Sequence, residues 1–298
     1  MQPKYVIITP AFNEESRIKA LVESVSRQTI LPAEFIIVDD SSRDGTFRVA
    51  SELARQFPWI RVIRREKPGG YDLEDASEAK AFLYGLQQVD FAWDFLSKLD
   101  ADITLESDYF ARLLALFDQR QRLGIASGAC FELRKGCWVE EKVNPQHVRG
   151  AARVYRAACY KEVDGIVTKL GWDVVDLLRA RIAGWETRCF PELQVRHHVA
   201  TGTKAGFIRG RLRSGREENL LGTHPLFLFA KLIGQSIWPP RASALASAPL
   251  ILWGYVRSLM RREKRVVTPR EMRHLRKEQM SRFHIWPSSK LVAAIQQP

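Results

Sequence analysis

A chain of 298 residues with 46% hydrophobic and 27% charged side chains has the composition of an ordinary globular protein, which excludes disorder over its whole length. The net charge of +12 is uneven, because residues 1–203 carry −1 and residues 204–298 carry +13. The two regions therefore present different surfaces, and only the second is expected to attract anions.

The N-terminal region alternates short β-branched runs with helical patterns. Strands are predicted at "YVIIT", "EFIIVD" and "WIRVIR", and helices over residues 14–28 and 46–57. A helix over residues 74–89, another at "ESDYFARLLALFDQRQ" and a strand at "GIASGACFEL" follow. This alternation predicts an α/β fold with a mostly parallel central sheet, built from right-handed crossover units and flanked by helices.

The pattern becomes mixed and loop-rich between residues 143 and 169. A last helix is predicted from Trp172 to Ala183, ended by Gly184. We expect the α/β body to end near His198. This divides the chain into a first domain of residues 1–203 and a basic, helical C-terminal appendage of residues 204–298.

The appendage places apolar side chains beside a cationic block. The runs at residues 225–238 and 242–256 are followed by "RSLMRREKR", and neither reaches the roughly 20 residues that a membrane-spanning helix needs. The composition favours a segment that lies in a membrane interface over anionic lipid. A buried helical pair with a solvated basic end is the alternative.

The cysteines and the N-terminal sequence indicate in which cellular compartment the protein is expected. The four cysteines show no CxxC spacing, and no signal peptide precedes the first predicted strand. We therefore expect reduced thiols and a cytoplasmic protein, peripherally associated with the inner face of the cell membrane.

Polar clusters follow three predicted strands: "TPAFNEE" at residues 9–15, "DDSSRDGT" at 39–46 and "DAD" at 100–102, the last after the strand-like run "FLSKL". Ligands of an open parallel sheet bind at the carboxyl ends of its strands, so these clusters are expected to share one rim. Each by itself also fits a helix N-cap or a turn. Adjacent aspartates repel unless donors or a cation compensate them, and Asp-x-Asp suits Mg²⁺ or Mn²⁺ with a diphosphate substrate.

The segments "VIITPAFNEE", "IIVDDSSRDGT" and "KLDADI", in this order and spacing, resemble the nucleotide-sugar-binding half of the family 2 glycosyltransferases of the GT-A fold. Residues 171–198 are similar to the family segment in which Gly-Glu-Asp opens a helix and a histidine closes the following strand. The resemblance covers roughly residues 4–198, about two-thirds of the chain. It implies a Rossmann-like GT-A domain and a glycosyltransferase activity.

The resemblance also implies a donor site. The residues that would line the nucleoside pocket are Pro10, Ala11, Phe12 and Glu14, with Asp40 hydrogen-bonding the base and Asp39 closing the same wall. Asp100 would face the ribose and the metal region, and Asp102 would coordinate a divalent cation, Mg²⁺ or Mn²⁺. His197 matches the family's trailing histidine, which approaches the metal or the diphosphate in some members; a satisfied histidine at a strand end is the alternative.

Asp173 matches the carboxylate that acts as general base in the family. An inverting transfer is a single in-line displacement at the anomeric carbon, so a base must lie on the face opposite the leaving group. The sequence departs from the family beside this base, because Trp172 stands where a glutamate is usual.

Together these features predict a metal-dependent, inverting transferase that moves a sugar from a nucleoside-diphosphate sugar to a glycan or lipid-linked acceptor, in cell-surface polysaccharide or glycolipid biosynthesis. The processive polysaccharide synthases of this family carry a Gln-x-x-Arg-Trp motif after the base. This chain has no such motif, which argues against a self-contained polymer-extruding synthase. One alternative is a polyprenyl phosphate acceptor, as in dolichyl-phosphate mannose synthases. Another is a nucleic-acid-binding protein, suggested by the basic C-terminal region. That alternative leaves the acidic rim unexplained, so no nucleic-acid partner is expected.

Overall fold

The computed structural model describes residues 3–66, 76–134, 136–141, 146–199, 206–237 and 242–285. Its internal contacts divide the chain into a first unit, Met1–Thr203, and a second unit, Lys204–Pro298.

The first unit alternates strands and helices. Its elements in chain order are β1 Tyr5–Ala11, α1 Ile18–Ser26, β2 Glu34–Asp39, α2 Thr46–Ala54, β3 Ile60–Arg64, α3 Ser77–Leu86, β4 Phe95–Leu99, β5 Ile103–Leu105, α4 Tyr109–Gln119, β6 Leu123–Arg134, β7 Cys137–Glu140, β8 Ala152–Arg156, α5 Ala157–Glu162, α6 Trp172–Ile182 and β9 Glu186–His197. The predicted α/β class is confirmed.

The described strands form one nine-stranded sheet in the order β3-β2-β1-β4-β8-β6-β9-β5, with β7 paired to β6. Strands β1 to β4 pair in parallel, as the crossover pattern predicts. The other half is mixed, because β8 runs antiparallel to β4 and β6 while β9 runs parallel to β6 and antiparallel to β5. The parallel half therefore brings the carboxyl ends of β1, β2 and β4 to one edge.

Helices cover both faces of this sheet. Successive side chains of a strand lie on opposite faces, and β1 is apolar on both. Ile7 joins a core cluster with Leu21 of α1 and Phe110 of α4, whereas Ile8 joins a second cluster with Phe82 of α3. The sheet is thus buried between two helical layers, and the polar clusters of its parallel half lie at the strand ends.

The main departure from the predicted elements is in the stretch expected to be loop-rich, residues 143–169. It contains strand β8 in the middle of the sheet and helix α5. The helices α1, α2, α3 and α4 are also shorter than predicted, and residues 74 and 75 of the predicted third helix lie outside the described residues.

The second unit is helical, with described elements α7 Phe207–Leu220, α8 Pro225–Ile237, α9 Ala242–Met260 and α10 Pro269–Ile285. Two glycines allow α7 and α9 to pack closely, because a Cβ on Gly215 would lie 1.9 Å from the Ile251 carbonyl oxygen and one on Gly254 would lie 2.2 Å from that of Leu212. The described helices fall short of the length and hydropathy that crossing a bilayer requires.

Candidate active site at the rim of the sheet

The loops after β1 and β2 are joined to each other by reciprocal hydrogen bonds. Asn13, in the left-handed region at φ 55°, donates its N–H to the Ser42 hydroxyl at 3.0 Å and accepts the Arg43 N–H on its side-chain oxygen at 2.9 Å. The Glu14 N–H donates to the Thr46 hydroxyl at 2.7 Å. The two loops therefore form one wall held together by hydrogen bonds.

The four residues predicted to line the nucleoside pocket differ in solvent exposure. Pro10 and Phe12 are partly exposed, whereas Ala11 and Glu14 are buried. The Glu14 carboxylate accepts a hydrogen bond from Arg17 at 3.2 Å, so it supports the wall from behind. Of these four residues, Pro10 and Phe12 are the ones with accessible surface.

Asp39 and Asp40, at the end of β2, are fully buried and each pairs with an arginine from the end of β3. Arg64 donates to Asp39 Oδ2 at 2.9 Å and Arg65 donates to Asp40 Oδ1 at 2.7 Å. The strand register explains the pairing, because Asp39 lies opposite Arg64 in the parallel β2–β3 ladder. These two arginines compensate the like charges. Among the described residues Asp39 Oδ1 remains buried without a hydrogen-bond partner, so it can accept a hydrogen bond from a ligand.

Asp100, Asp102 and His197 form a cluster that fits a divalent cation. One ligand atom from each residue lies within 4.8 Å of those of the other two. The sheet brings them together, since β5 follows Asp102 and pairs with β9, placing Ile103 opposite His197. Two carboxylates and one imidazole suit Mn²⁺ better than Mg²⁺, which favours oxygen ligands alone. The donor set therefore fits a divalent cation, as predicted.

His197 pairs with Asp102, with 3.2 Å between His197 Nε2 and Asp102 Oδ1. Burial by itself would lower the pKa of His197, but the hydrogen bond to Asp102 and the charge of that carboxylate outweigh it and raise the pKa. The same contact fits both interpretations of His197, a satisfied histidine and a metal ligand. A cation would have to displace a proton from this pair.

The Asp100 side chain is held by a buried lysine. Lys98 of β4, which is 2% exposed, contacts the carboxylates of Asp100 and Glu78. Burial alone would raise the pKa of Asp100, but the neighbouring ammonium outweighs it and lowers the pKa. The negative charges likewise raise the pKa of Lys98 against the effect of its burial. The ammonium therefore favours the ionised form of Asp100, which is the form that can ligate a cation.

Helix α6 carries two aspartates with different environments. Asp176 is fully buried and accepts hydrogen bonds from Arg153 at 2.6 Å, from the Tyr155 hydroxyl at 2.5 Å and from the Leu177 N–H at 2.7 Å. Asp173, in the first turn, is partly exposed, and its carbonyl oxygen accepts a hydrogen bond from Arg153 at 2.9 Å. Asp176 is saturated inside the protein, which leaves Asp173 as the carboxylate of α6 available to an acceptor.

Trp172 connects the start of α6 to the cation cluster. Its ring lies 5.4 Å from the Lys98 ammonium and 5.9 Å from the Arg153 guanidinium, and the side chain is 8% exposed. Both separations are within the range of cation–π attraction. Because Lys98 contacts Asp100, the first turn of α6 and the Asp100 side of the cluster share one packed group.

Sequence patterns missed three positively charged residues of this site, Arg64, Arg65 and Lys98, and the buried pairing of a fourth, Arg153. A signal exists for the first two, since an Arg-Arg pair ends β3 as an Asp-Asp pair ends β2. Lys98 is a lysine inside an otherwise apolar strand directly before "DAD", which also could have been noticed. Arg153 gives no such signal, because its partner Asp176 is 23 residues away in an unrelated element.

Comparison with protein families matches residues 6–130 to the sequence model described as Glycosyl transferase family 2. The succinoglycan biosynthesis protein ExoA of Rhizobium meliloti is 33% identical over 110 residues, which are 37% of this chain and 31% of that protein. A dolichol-phosphate mannosyltransferase of Pyrococcus furiosus is 26% identical over 125 residues, 42% of this chain and 33% of that protein. The similar segment thus spans about a third of each relative's own length.

Among solved structures, the mannosyltransferase PcManGT of Pyrobaculum calidifontis, in complex with GDP-Man and Mn²⁺, has a TM-score of 0.56 at 16% identity. The superposition covers 99% of this chain and 79% of that one. A likeness at this identity shows the fold alone, and it confirms the GT-A arrangement expected from the sequence.

Proposed function

Residues 6–130 belong to glycosyl transferase family 2, and from this premise we propose that the chain is an inverting, divalent-cation-dependent transferase acting on a nucleoside-diphosphate sugar. The observation that carries the proposal is the cluster of Asp100, Asp102 and His197 beside the helix that begins with Trp172 and Asp173. The acceptor belongs to cell-surface polysaccharide or glycolipid assembly.

The nucleoside is bound by the wall made from the loops after β1 and β2. Pro10 and Phe12 contact the base or ribose with their partly exposed faces, while Ala11 and Glu14 shape the backbone behind them. Asp40, fixed by Arg65, hydrogen-bonds the base, and Asp39 closes the same wall with Oδ1 as a further buried acceptor. This assignment is supported by burial and charge pairing, and it leaves the base open.

Asp102 and His197 would hold the cation, with one oxygen of Asp100 completing the protein ligands. A cation held there would neutralise the negative charge that develops on the leaving nucleoside diphosphate. Lys98 contacts Asp100 Oδ1, so part of the capacity of this carboxylate to bind the ribose or the cation is already engaged.

Asp173 removes the proton from the acceptor hydroxyl. The hydroxyl oxygen forms a bond to the anomeric carbon as the bond to the diphosphate oxygen breaks, which inverts the configuration at that carbon. The carbonyl contact from Arg153 and the packing of Trp172 hold the first turn of α6, so the carboxylate stays in place during the reaction.

A panel of nucleoside-diphosphate sugars with Mn²⁺ tests this function. The expected result is release of nucleoside diphosphate with one preferred donor, suppressed by EDTA, and a product of opposite anomeric configuration by NMR. Retention of configuration would contradict the inverting mechanism. Full activity in EDTA would contradict the requirement for a cation.

A polyprenyl phosphate acceptor is the second candidate, favoured by the similarity to a dolichol-phosphate mannosyltransferase. A phosphate monoester is already ionised at neutral pH, so this acceptor needs no general base. The two acceptor classes are therefore distinguished by the dependence of transfer on the Asp173 carboxylate.

The second unit supports action at a membrane surface. On α8, Leu228 and Leu232 are buried against Ile251 and Tyr255 of α9. Leu226, Phe229 and Ile233, spaced for one helical face, are instead 64%, 58% and 42% exposed. An exposed apolar face in a region of charge +13 fits the interface of an anionic bilayer.

Replacing Leu226, Phe229 and Ile233 together by serine is expected to weaken binding of the full chain to vesicles containing phosphatidylglycerol. Each of these side chains is expected to contribute about 1 kcal/mol when it enters the membrane interface, so the triple variant should lose roughly a hundredfold in its partition coefficient. Co-sedimentation with the vesicles measures this loss. Leu31→Ser, at another exposed apolar position, is the matched control and should bind as the wild type does. Undiminished binding of the triple variant would contradict the assignment of this face, and binding to random RNA but not to vesicles would support the nucleic-acid alternative.

A further inference from the structure

A buried ammonium group lies next to the cation cluster without being one of its candidate ligands. Lys98 is 2% exposed, which is rare for lysine unless its charge is paired. It is paired twice, with Asp100 and with Glu78 from the first turn of α3. The sequence places it two residues before Asp100, on a strand whose other side chains are apolar or small.

The surroundings of Lys98 confine it to this position. The Trp172 ring lies 5.4 Å from its nitrogen, and a Cβ built on Gly150 would approach that nitrogen to 4.0 Å. Glu78 and Asp100 take the direct contacts. The ammonium is thus enclosed by protein groups, and its effect on the cluster passes through Asp100.

Both the backbone and the side chain of Asp100 are held by contacts within the protein. Its backbone N–H donates to the Ala151 carbonyl oxygen at 2.8 Å, and its Oδ1 contacts Lys98. Removing the ammonium would leave the carboxylate free to rotate and would place it beside Glu78 without a compensating charge. Outer partners of metal ligands commonly set both the orientation and the affinity of a site.

We propose that Lys98 is a positioning residue of the cation site: its ammonium holds the Asp100 carboxylate so that one oxygen stays within 4.8 Å of the ligand atoms of Asp102 and His197. The inference rests on the proposed function, because it presumes that this cluster binds the cation. It adds a residue that contacts neither the cation nor the donor and is nevertheless required for tight cation binding.

A double-mutant cycle on the full chain tests this, with Mn²⁺ alone as the probe and free Mn²⁺ measured by electron paramagnetic resonance. Lys98→Met is expected to raise the Kd for Mn²⁺ about 10- to 100-fold, the usual effect of losing an outer partner of a ligand. Asp100→Asn also raises it. Because Lys98 acts through Asp100, Lys98→Met should add little in the Asp100→Asn background.

A merely structural role would give a different result, in which the two losses multiply in the double variant. Lys19→Met is the matched control, since Lys19 is an exposed lysine that pairs with Glu23 and lies outside the cluster, and its Kd should stay within about twofold of the wild type. If Lys98→Met does not fold, Lys98→Gln replaces it in the cycle. Wild-type or tighter binding by the Lys98 variant, or multiplying losses, would overturn the proposal.

The cycle separates this inference from the proposed function. If Asp102→Ala binds Mn²⁺ as the wild type does, the cluster is not the cation site and the proposed function fails with it. If Asp102→Ala loses Mn²⁺ while Lys98→Met retains it, the cation site stands and only the role of Lys98 is refuted.

Discussion

Replacing Asp102 by alanine is expected to abolish Mn²⁺-dependent binding of the nucleoside diphosphate and to lower transfer about a thousandfold. Asp102 is 5% exposed and contacts His197, so its loss removes one ligand and leaves the other without its partner. Charge stabilisation by a catalytic metal contributes several kcal/mol, and each 1.36 kcal/mol changes the rate about tenfold. Titration calorimetry with and without Mn²⁺ measures the binding, and product release measures the transfer.

Asp108→Ala is the matched control for this variant. Asp108 precedes α4, its side chain is 49% exposed, and it belongs to no described metal cluster. It should therefore bind and transfer as the wild type does. An Asp102→Ala protein that still binds the diphosphate in a Mn²⁺-dependent manner would place the cation elsewhere.

Replacing Asp173 by asparagine is expected to lower turnover by about 10²- to 10⁴-fold while donor binding is preserved. The change removes the basic oxygen but keeps the size of the side chain and the first turn of α6. The carbonyl contact with Arg153 involves the backbone and is unaffected. Single-turnover transfer to a hydroxyl acceptor, with donor affinity measured separately, distinguishes the two effects.

Asp176→Asn separates catalysis from structure, because both aspartates lie on α6 but Asp176 is saturated by Arg153 and Tyr155. It should lower the melting temperature, whereas Asp173→Asn should leave it near the wild-type value. Undiminished transfer to a hydroxyl by Asp173→Asn would refute its role as base. Undiminished transfer to a polyprenyl phosphate would instead identify that acceptor class.

The parallel half of the fold could be predicted from the sequence because its signals are local. Runs such as "YVIIT" and "EFIIVD" are continuous and apolar, as strands buried on both faces should be, and each ends at a polar cluster. The rim followed from the rule that parallel strands share an edge at their carboxyl ends. The boundaries of helices and of strands β1 and β3 were displaced, and the ends of elements are where such predictions are weakest.

Strand β8 could not be predicted in this way because two of its five residues are arginines. Arg153 is fully buried in the sheet, and its charge is acceptable only because Asp176 of α6 meets it there. A local pattern assigns such a stretch to the surface. The compensation is visible only once the fold has brought α6 against the sheet.

The pairing of β5 with β9 has a consequence for how the molecule is made. Asp102 directly precedes β5, His197 ends β9, and 95 residues separate them. At about 5–20 residues per second, the ribosome adds the histidine roughly 5 to 20 s after the aspartate. The acidic loop is thus synthesised well before the strand that completes its ligand set. Capture of a divalent cation would then mark the docking of the last strand, so a chain interrupted before residue 197 would carry the aspartates without the complete site.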